Sequence, residues 1–228
     1  MTVAGMVKSS FVDYPGLISC VLFVPCCNYN CFYCHNRALL DGTYEKVDPE
    51  SIKKFLNSRK GILDAVVITG GEPTLQPGLI PFLKEIKRMG FRLKLDTNGS
   101  SPDTVARVLR EGLCDYYAVD YKAPASAYPE IAGKNANGRA VLETIRLLMK
   151  SGADFEVRTT VFPQLNEDDL ILMARELPPV PRYVLNRYRK PEKYLGCDEE
   201  RVNQPPYPQS RIEAFSDLIR KYQPNIIT

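Results

Sequence analysis

A chain of 228 residues, 44% hydrophobic and 25% charged, is long enough for one sizeable core and too apolar for disorder. A net charge of +3 without any clustered Lys/Arg run argues against a nucleic-acid surface. No stretch has the length and apolarity of a membrane span, and MTVAGMVKSSFVDYPG lacks the apolar core of a signal peptide. The expectation is one cytoplasmic domain over residues 1–228, with neither nucleic acid nor membrane as partner.

A β-rich run from Leu17 to Val24 opens the predicted core. A cysteine loop follows it. Asp48-Pro49 reads as a helix N-cap with proline in the first turn, leading Ile52, Phe55 and Leu56 along one face. Ala65 to Ile68 is a short continuous apolar run, suited to a strand buried on both faces. A helix carrying Leu79, Ile80, Leu83 and Ile86 comes next, closed by Gly90. The alternation continues with strands at 91–95, 116–121, 155–162 and 183–188, and helices at 102–110, 139–150, 167–176 and 210–222. Segment 189–209, with four prolines, reads as a long loop. Six strand–helix units predict an α/β fold: a partial (β/α)6 TIM-like barrel with a parallel sheet. No glycine-rich dinucleotide fingerprint follows the first strand.

In a cytosolic chain cysteines are not to be assumed a disulfide framework, so clustering signals metal or redox chemistry. The loop reads Cys26-Cys27-Asn28-Tyr29-Asn30-Cys31-Phe32-Tyr33-Cys34-His35-Asn36, while Cys20, Cys114 and Cys197 are scattered. Three thiolates spaced x3 then x2 can hold three irons of a cubane and leave the fourth open to a ligand. A zinc knot drawing on Cys26 or Cys27, Cys31, Cys34 and His35 is the alternative. The remaining candidates fall at or near strand ends, where β/α barrels carry their chemistry. They are Thr69-Gly70-Gly71-Glu72-Pro73, Asp96-Thr97-Asn98-Gly99 and Asp120-Tyr121-Lys122. Each also has a plain reading: a proline-capped turn, a helix N-cap at Asp96, and a salt bridge between Asp120 and Lys122. Arg158 stands inside an apolar strand, so it requires a polar cavity or an ion-pair partner.

The cysteine pattern, with Tyr33 as the aromatic residue, closely resembles the cluster motif of the radical S-adenosylmethionine (SAM) superfamily. The resemblance implies a 4Fe-4S cluster on Cys27, Cys31 and Cys34, with SAM chelating the open iron. It implies cofactor contacts from Tyr33, Asn36, Gly70, Gly71, Glu72, Asp96, Thr97, Asp120, Lys122, Arg158 and Arg189. Asp96 and Asp120 are further implied as holders of a monovalent cation. Cys26 departs from the family, which usually has glycine before the first cysteine. Asp13-Tyr14-Pro15-Gly16, then a strand, then the cysteines with His35-Asn36, is similar to the glycyl-radical-enzyme activases. Within that family the resemblance is to the branch serving anaerobic ribonucleotide reductase, related to pyruvate formate-lyase activase. It implies an anaerobic oxidoreductase acting on a glycyl radical enzyme, with Asp13 contacting that protein substrate. A flavodoxin or ferredoxin-type protein is the implied electron donor. The rivals are a radical SAM enzyme acting on a small molecule, such as a deazapurine-forming synthase, and a zinc-stabilised binding module.

Overall fold

The structure is a computed structural model describing residues 1–228. Eight strands form one open sheet in chain order: β1 (Gly5–Ser10), β2 (Ser19–Val24), β3 (Ala65–Gly70), β4 (Arg92–Thr97), β5 (Tyr116–Asp120), β6 (Phe155–Val161), β7 (Tyr183–Arg187) and β8 (Ile226–Ile227). β1 runs antiparallel to β2, while β2, β3 and β4 pair in parallel, as do β6, β7 and β8. The six expected strands are β2 to β7. The two added strands close the sequence at each end. β1 is a half-exposed edge strand without a hydrophobic alternation, and β8 has only two residues, so neither produces a periodic signal.

The helices are α1 (Arg37–Leu40), α2 (Pro49–Ser58), α3 (Leu79–Arg88), α4 (Pro102–Arg110), α5 (Tyr128–Ala132), α6 (Gly138–Ser151), α7 (Glu167–Glu176), α8 (Glu199–Val202) and α9 (Gln209–Ile219). Local chemistry sets their ends. The Asp48 carboxylate accepts from the Ser51 amide at 2.9 Å, starting α2. Asn166 and Asp169 form a reciprocal capping box on α7. Gly152 stops α6 in the left-handed conformation at φ 70°, which an L side chain resists. Segment 189–209 is not simply a loop. It contains a 3-10 turn, Gly196–Asp198, and α8, whose buried Val202 anchors it. Four residues of α8 are too few to produce a readable helical period.

The chain divides into two compact units. The first comprises Met1–Cys27, Ala38–Thr97 and Asp103–Tyr117. Val21, Ala65 and Val67 pack there with Tyr14, and all are almost fully buried. The second comprises Asn28–Arg37, Asn98–Pro102 and Ala118–Thr228. Its interior carries Tyr121, Tyr128, Tyr183 and Tyr188, each at most 1% exposed. Phenolic oxygens at that depth need partners. Tyr128 accepts from the Lys122 amide at 2.9 Å, and Tyr188 donates to the Val202 carbonyl at 2.9 Å.

Candidate active site

The first unit carries Cys27, the Gly70–Glu72 turn, Asp96, Thr97 and Asp13. At the end of β3, an ideal Cβ on Gly71 lies 1.9 Å from the Cys26 carbonyl oxygen, so only glycine fits. That close approach is used: the Glu72 amide donates to the Cys26 carbonyl at 2.7 Å. Gly71 therefore makes room for the cysteine loop's own backbone, while Gly70 clears the Val24 backbone of β2. The Glu72 carboxylate is fully buried and accepts from the Thr74 amide at 3.0 Å and from the Thr97 hydroxyl at 2.7 Å. It fixes the turn after β3 to the end of β4.

Cys26 has φ 66°, the one non-glycine residue in the left-handed region. A turn at positive φ is one that glycine enters without strain, so Cys26 stands where glycine is the easier residue. Cys26 itself is exposed, and its amide donates to the Leu39 carbonyl at 3.1 Å.

Asp96 lies within β4, 6% exposed, so it is not the N-cap of the following helix. Its carboxylate faces the Lys94 ammonium at 3.4 Å. Lys94 is 2% exposed and also donates to the Asp13 carbonyl at 2.6 Å, under the Tyr116 ring. The Asp13 carboxylate accepts from the Ser10 hydroxyl at 2.5 Å. Neighbouring Phe11 and Val12 are exposed. Lys94 was missed in the sequence, although a lysine between two leucines of a buried strand is the same signal that singled out Arg158.

The second unit carries Cys31, Tyr33, Cys34, Asn36, Asp120, Lys122, Arg158 and Arg189. Cys31 is buried and Cys34 half-buried, and the Cys34 amide donates to the Cys31 carbonyl at 3.1 Å. Asn36 is half-buried. Tyr33 stacks on Phe162, with ring centroids 5.2 Å apart, and meets Phe32 edge-on. Its hydroxyl is buried without a partner, and burial pushes its pKa up against the opposing charge of Lys122. Arg37 is likewise buried, with Nε and Nη2 unpartnered.

At the ends of β5 and β6, Asp120 accepts from Lys122 at 3.2 Å and from Arg158 at 3.0 Å. Both plain readings, the Asp120–Lys122 salt bridge and an ion pair for Arg158, are thus present. Burial works against the Asp120 charge, but Lys122 and Arg158 outweigh it and hold its carboxyl at about 2. Burial also opposes the Lys122 charge; Asp120, with Cys31 and Tyr33 beside it, keeps the ammonium well above the usual lysine range. Lys122 therefore stands charged, within electrostatic reach of Cys31 and Tyr33. Arg189 is exposed and lines a separate cavity of about 670 Å³ with Asn186, Arg187, Tyr188, Pro206 and Gln209. None of the bonds that tie Asp120, Lys122 and Arg158 together reaches it.

No three His, Cys, Asp or Glu side chains gather closely enough to hold a single metal ion. A cubane places one thiolate on each of three irons, which spaces its cysteines more widely than a mononuclear zinc ion does. Of the residues a zinc knot would draw on, His35 is exposed, and of its two alternatives for the first thiol Cys26 is exposed and Cys27 half-buried. The radical SAM family model matches residues 21–177.

The chain belongs to the radical SAM superfamily.

A Methanocaldococcus jannaschii protein named as a glycyl-radical enzyme activating enzyme is 30% identical over 99% of this chain and 94% of its own length. A Thermococcus kodakarensis protein named as a GTP 3',8-cyclase is 31% identical over 63% of this chain and 47% of its own. Among solved structures, Streptococcus suis SuiB bound to S-adenosylmethionine superposes with a TM-score of 0.67 at 13% identity. That match covers 89% of this chain and 48% of SuiB, so the radical SAM chain spans about half of that protein. The likeness supports the fold: an open, mostly parallel α/β sheet of the partial-barrel kind. Family membership implies a 4Fe-4S cluster and SAM. The residues present fit those groups, with a loop of three thiols, orphaned buried donors on Tyr33 and Arg37, and a charged Lys122 within electrostatic reach of Cys31.

Proposed function

We propose that the protein is an activase, installing a radical on a backbone glycine of a partner glycyl radical enzyme, with anaerobic ribonucleotide reductase as the candidate partner. In this reading Cys27, Cys31 and Cys34 hold the cluster. Glu72, Asp96 and Thr97 in the first unit serve SAM, as do Tyr33, Asn36, Asp120, Lys122, Arg158 and Arg189 in the second. The cluster and SAM, held by these residues, would supply the one-electron chemistry needed to remove a hydrogen atom from the glycine. A flavodoxin or ferredoxin-type protein supplies the electron.

The chain's own residues bind and orient. Lys122, kept cationic by Asp120, stands ready for a carboxylate. Buried Tyr33, stacked on Phe162, offers an apolar wall that excludes water. Lys94 holds the Asp13 turn by its carbonyl and leaves the exposed Phe11-Val12 tip free to meet a protein.

The carrying observation is the end-to-end match to the named activating enzyme, 99% of one chain against 94% of the other. It includes the Asp13–Gly16 turn, which precedes the segment the family model matches. The cyclase matches stop short of that extent, covering 29% to 48% of those proteins' length.

The test is anaerobic incubation of reduced enzyme, SAM and a co-encoded glycyl radical enzyme. A glycyl doublet in electron paramagnetic resonance (EPR), and cleavage of the partner at that glycine on exposure to oxygen, are expected. Asp13→Ala should lower radical yield while leaving slow uncoupled SAM cleavage intact. Robust SAM cleavage with no radical on any partner, and hydrogen lost or gained by a small molecule, would give the small-molecule rival its place.

A further inference from the structure

We propose that Arg37 is a resident cation of the iron–sulfur cluster, donating N–H hydrogen bonds to its sulfur atoms and raising its reduction potential. This rests on Cys27, Cys31 and Cys34 holding a 4Fe-4S cluster, and is independent of which substrate the enzyme attacks.

Arg37 is 5% exposed. Its Nη1 donates to the Asn30 side-chain oxygen at 2.5 Å, while Nε and Nη2 are buried without any acceptor. No carboxylate is paired with it. Asn30 is itself fixed, since its amide donates to the Ala132 carbonyl at 2.7 Å and its Cβ sits close against Gly133. The guanidinium is therefore held at both ends, by its own backbone and by Asn30. Residues 30 to 36 form the loop that carries Cys31 and Cys34, and Arg37 opens α1 directly after it. Arg37 bridges the segment that presents two of the three thiolates.

A buried guanidinium with two idle donors and no counter-charge is unfavourable by itself. What balances it must be anionic, rich in acceptors and close to residues 30–37. A cubane on three thiolates meets all three conditions. Hydrogen bonds to cluster sulfur and nearby positive charge favour the reduced form, which carries one more negative charge. Burial of Cys31 keeps that interaction from being screened. Arg201 is a second cation nearby, its guanidinium 4.2 Å over the Phe32 ring. It differs in being partly exposed and in facing Glu130 at 3.8 Å, so it serves as the comparison.

The experiment uses full-length protein, reconstituted anaerobically with iron and sulfide and reduced with titanium(III) citrate without SAM. With guanidino-¹⁵N arginine incorporated, pulsed EPR of the reduced cluster should show a weak ¹⁵N coupling. The coupling should vanish in Arg37→Lys and persist in Arg201→Lys. In a mediated EPR titration, Arg37→Gln should titrate at a more negative potential than the native protein, with Arg37→Lys between them. A native protein with full iron content and no ¹⁵N coupling overturns the proposal. So does a coupling that survives Arg37→Lys, or an Arg37→Gln cluster at the native potential. If Arg37→Gln holds no cluster, the labelled native protein decides alone. A native protein that assembles no 4Fe-4S cluster overturns the cluster reading itself, a separate failure.

Discussion

Lys94 and Arg37 are both buried cations, 2% and 5% exposed, one in each compact unit. Lys94 is answered by its own chain: the Asp96 carboxylate at 3.4 Å, the Asp13 carbonyl at 2.6 Å and the Tyr116 ring. Arg37 is answered once, by Asn30, and two donor atoms are left over. A folded chain rarely buries polar hydrogens without acceptors. The first arrangement is a strut, in which the chain itself supplies the partners of the lysine. The second has the form of a receptor, complete when an anionic partner arrives. The contrast separates residues that build the scaffold from residues that wait for a cofactor, and it uses burial and hydrogen bonding alone.

The largest effect should come from removing the partner that Arg37 awaits. Replacing Cys27, Cys31 or Cys34 with Ala should abolish bound iron and SAM cleavage, read by iron analysis and product assay after anaerobic reconstitution. Cys26→Ala should still reconstitute. Iron retained by Cys27→Ala and lost by Cys26→Ala would reassign the ligand and undo the pairing of Arg37 with this cluster.

Next in size is the strut. Lys94→Met leaves Asp96 buried without that cation, and breaking a buried pair costs about 3 kcal/mol or more. A midpoint fall of about 6–12 °C is expected for a chain of this size. The paired measurement is Arg37→Met in iron-free protein. With nothing but one hydrogen bond to lose, and an uncompensated charge removed, its cost should stay within about 1.5 kcal/mol. Equal losses for the two variants would mean that Arg37 is also completed internally, and the comparison would collapse.

Asp120 stands between these extremes, since two cations answer it and it remains partly exposed. Its carboxyl sits at about 2 in the folded protein, below the ordinary unfolded aspartate near ~3.9. A depressed folded pKa contributes stability that is fully present above the unfolded value and fades as pH falls through the folded one. The stability gap between native protein and Asp120→Asn should therefore be widest near neutral pH and should close between about pH 5 and pH 2. Added salt should narrow it, because a third of the carboxylate side chain is in solvent. A gap that widens on acidification would reverse the sign and exclude Asp120 as an ionised anchor.

The sequence exposed the strut and the receptor unequally. All six central strands and the main helices were legible, because buried parallel strands read as apolar runs and helix ends carry caps such as Asp48 and Gly152. β1 and β8 were not, being edge strands too short or too exposed to show a period. The cysteine spacing was legible because it is local. Lys94 and Arg37 were harder, since what marks them is depth and the presence or absence of partners distant in the chain. Asp13 and Lys94 are 81 residues apart, a pairing that only folding discloses. The family resemblance gives Gly70 and Gly71 as cofactor contacts, and nothing local in the sequence shows a backbone demand on either. The structure uses Gly71 to let the Cys26 carbonyl approach.

The smallest predicted effect concerns backbone rather than charge. Cys26 at φ 66° occupies a region that costs an L-residue about 1–2 kcal/mol. Glycine removes that strain but adds about 0.4–1 kcal/mol of unfolded-chain entropy to be lost. Cys26→Gly should therefore stabilise the protein by roughly 0.5–1 kcal/mol, a midpoint rise of about 1–4 °C. The bonds it must preserve are backbone ones, from the Cys26 amide to Leu39 and from the Glu72 amide to the Cys26 carbonyl, and glycine keeps both. Cys26→Val, β-branched and more strained at positive φ, should lose stability and distort the approach of Gly71. If glycine proves no better than alanine at this position, the left-handed turn is not what constrains residue 26, and the thiol itself is the feature to pursue.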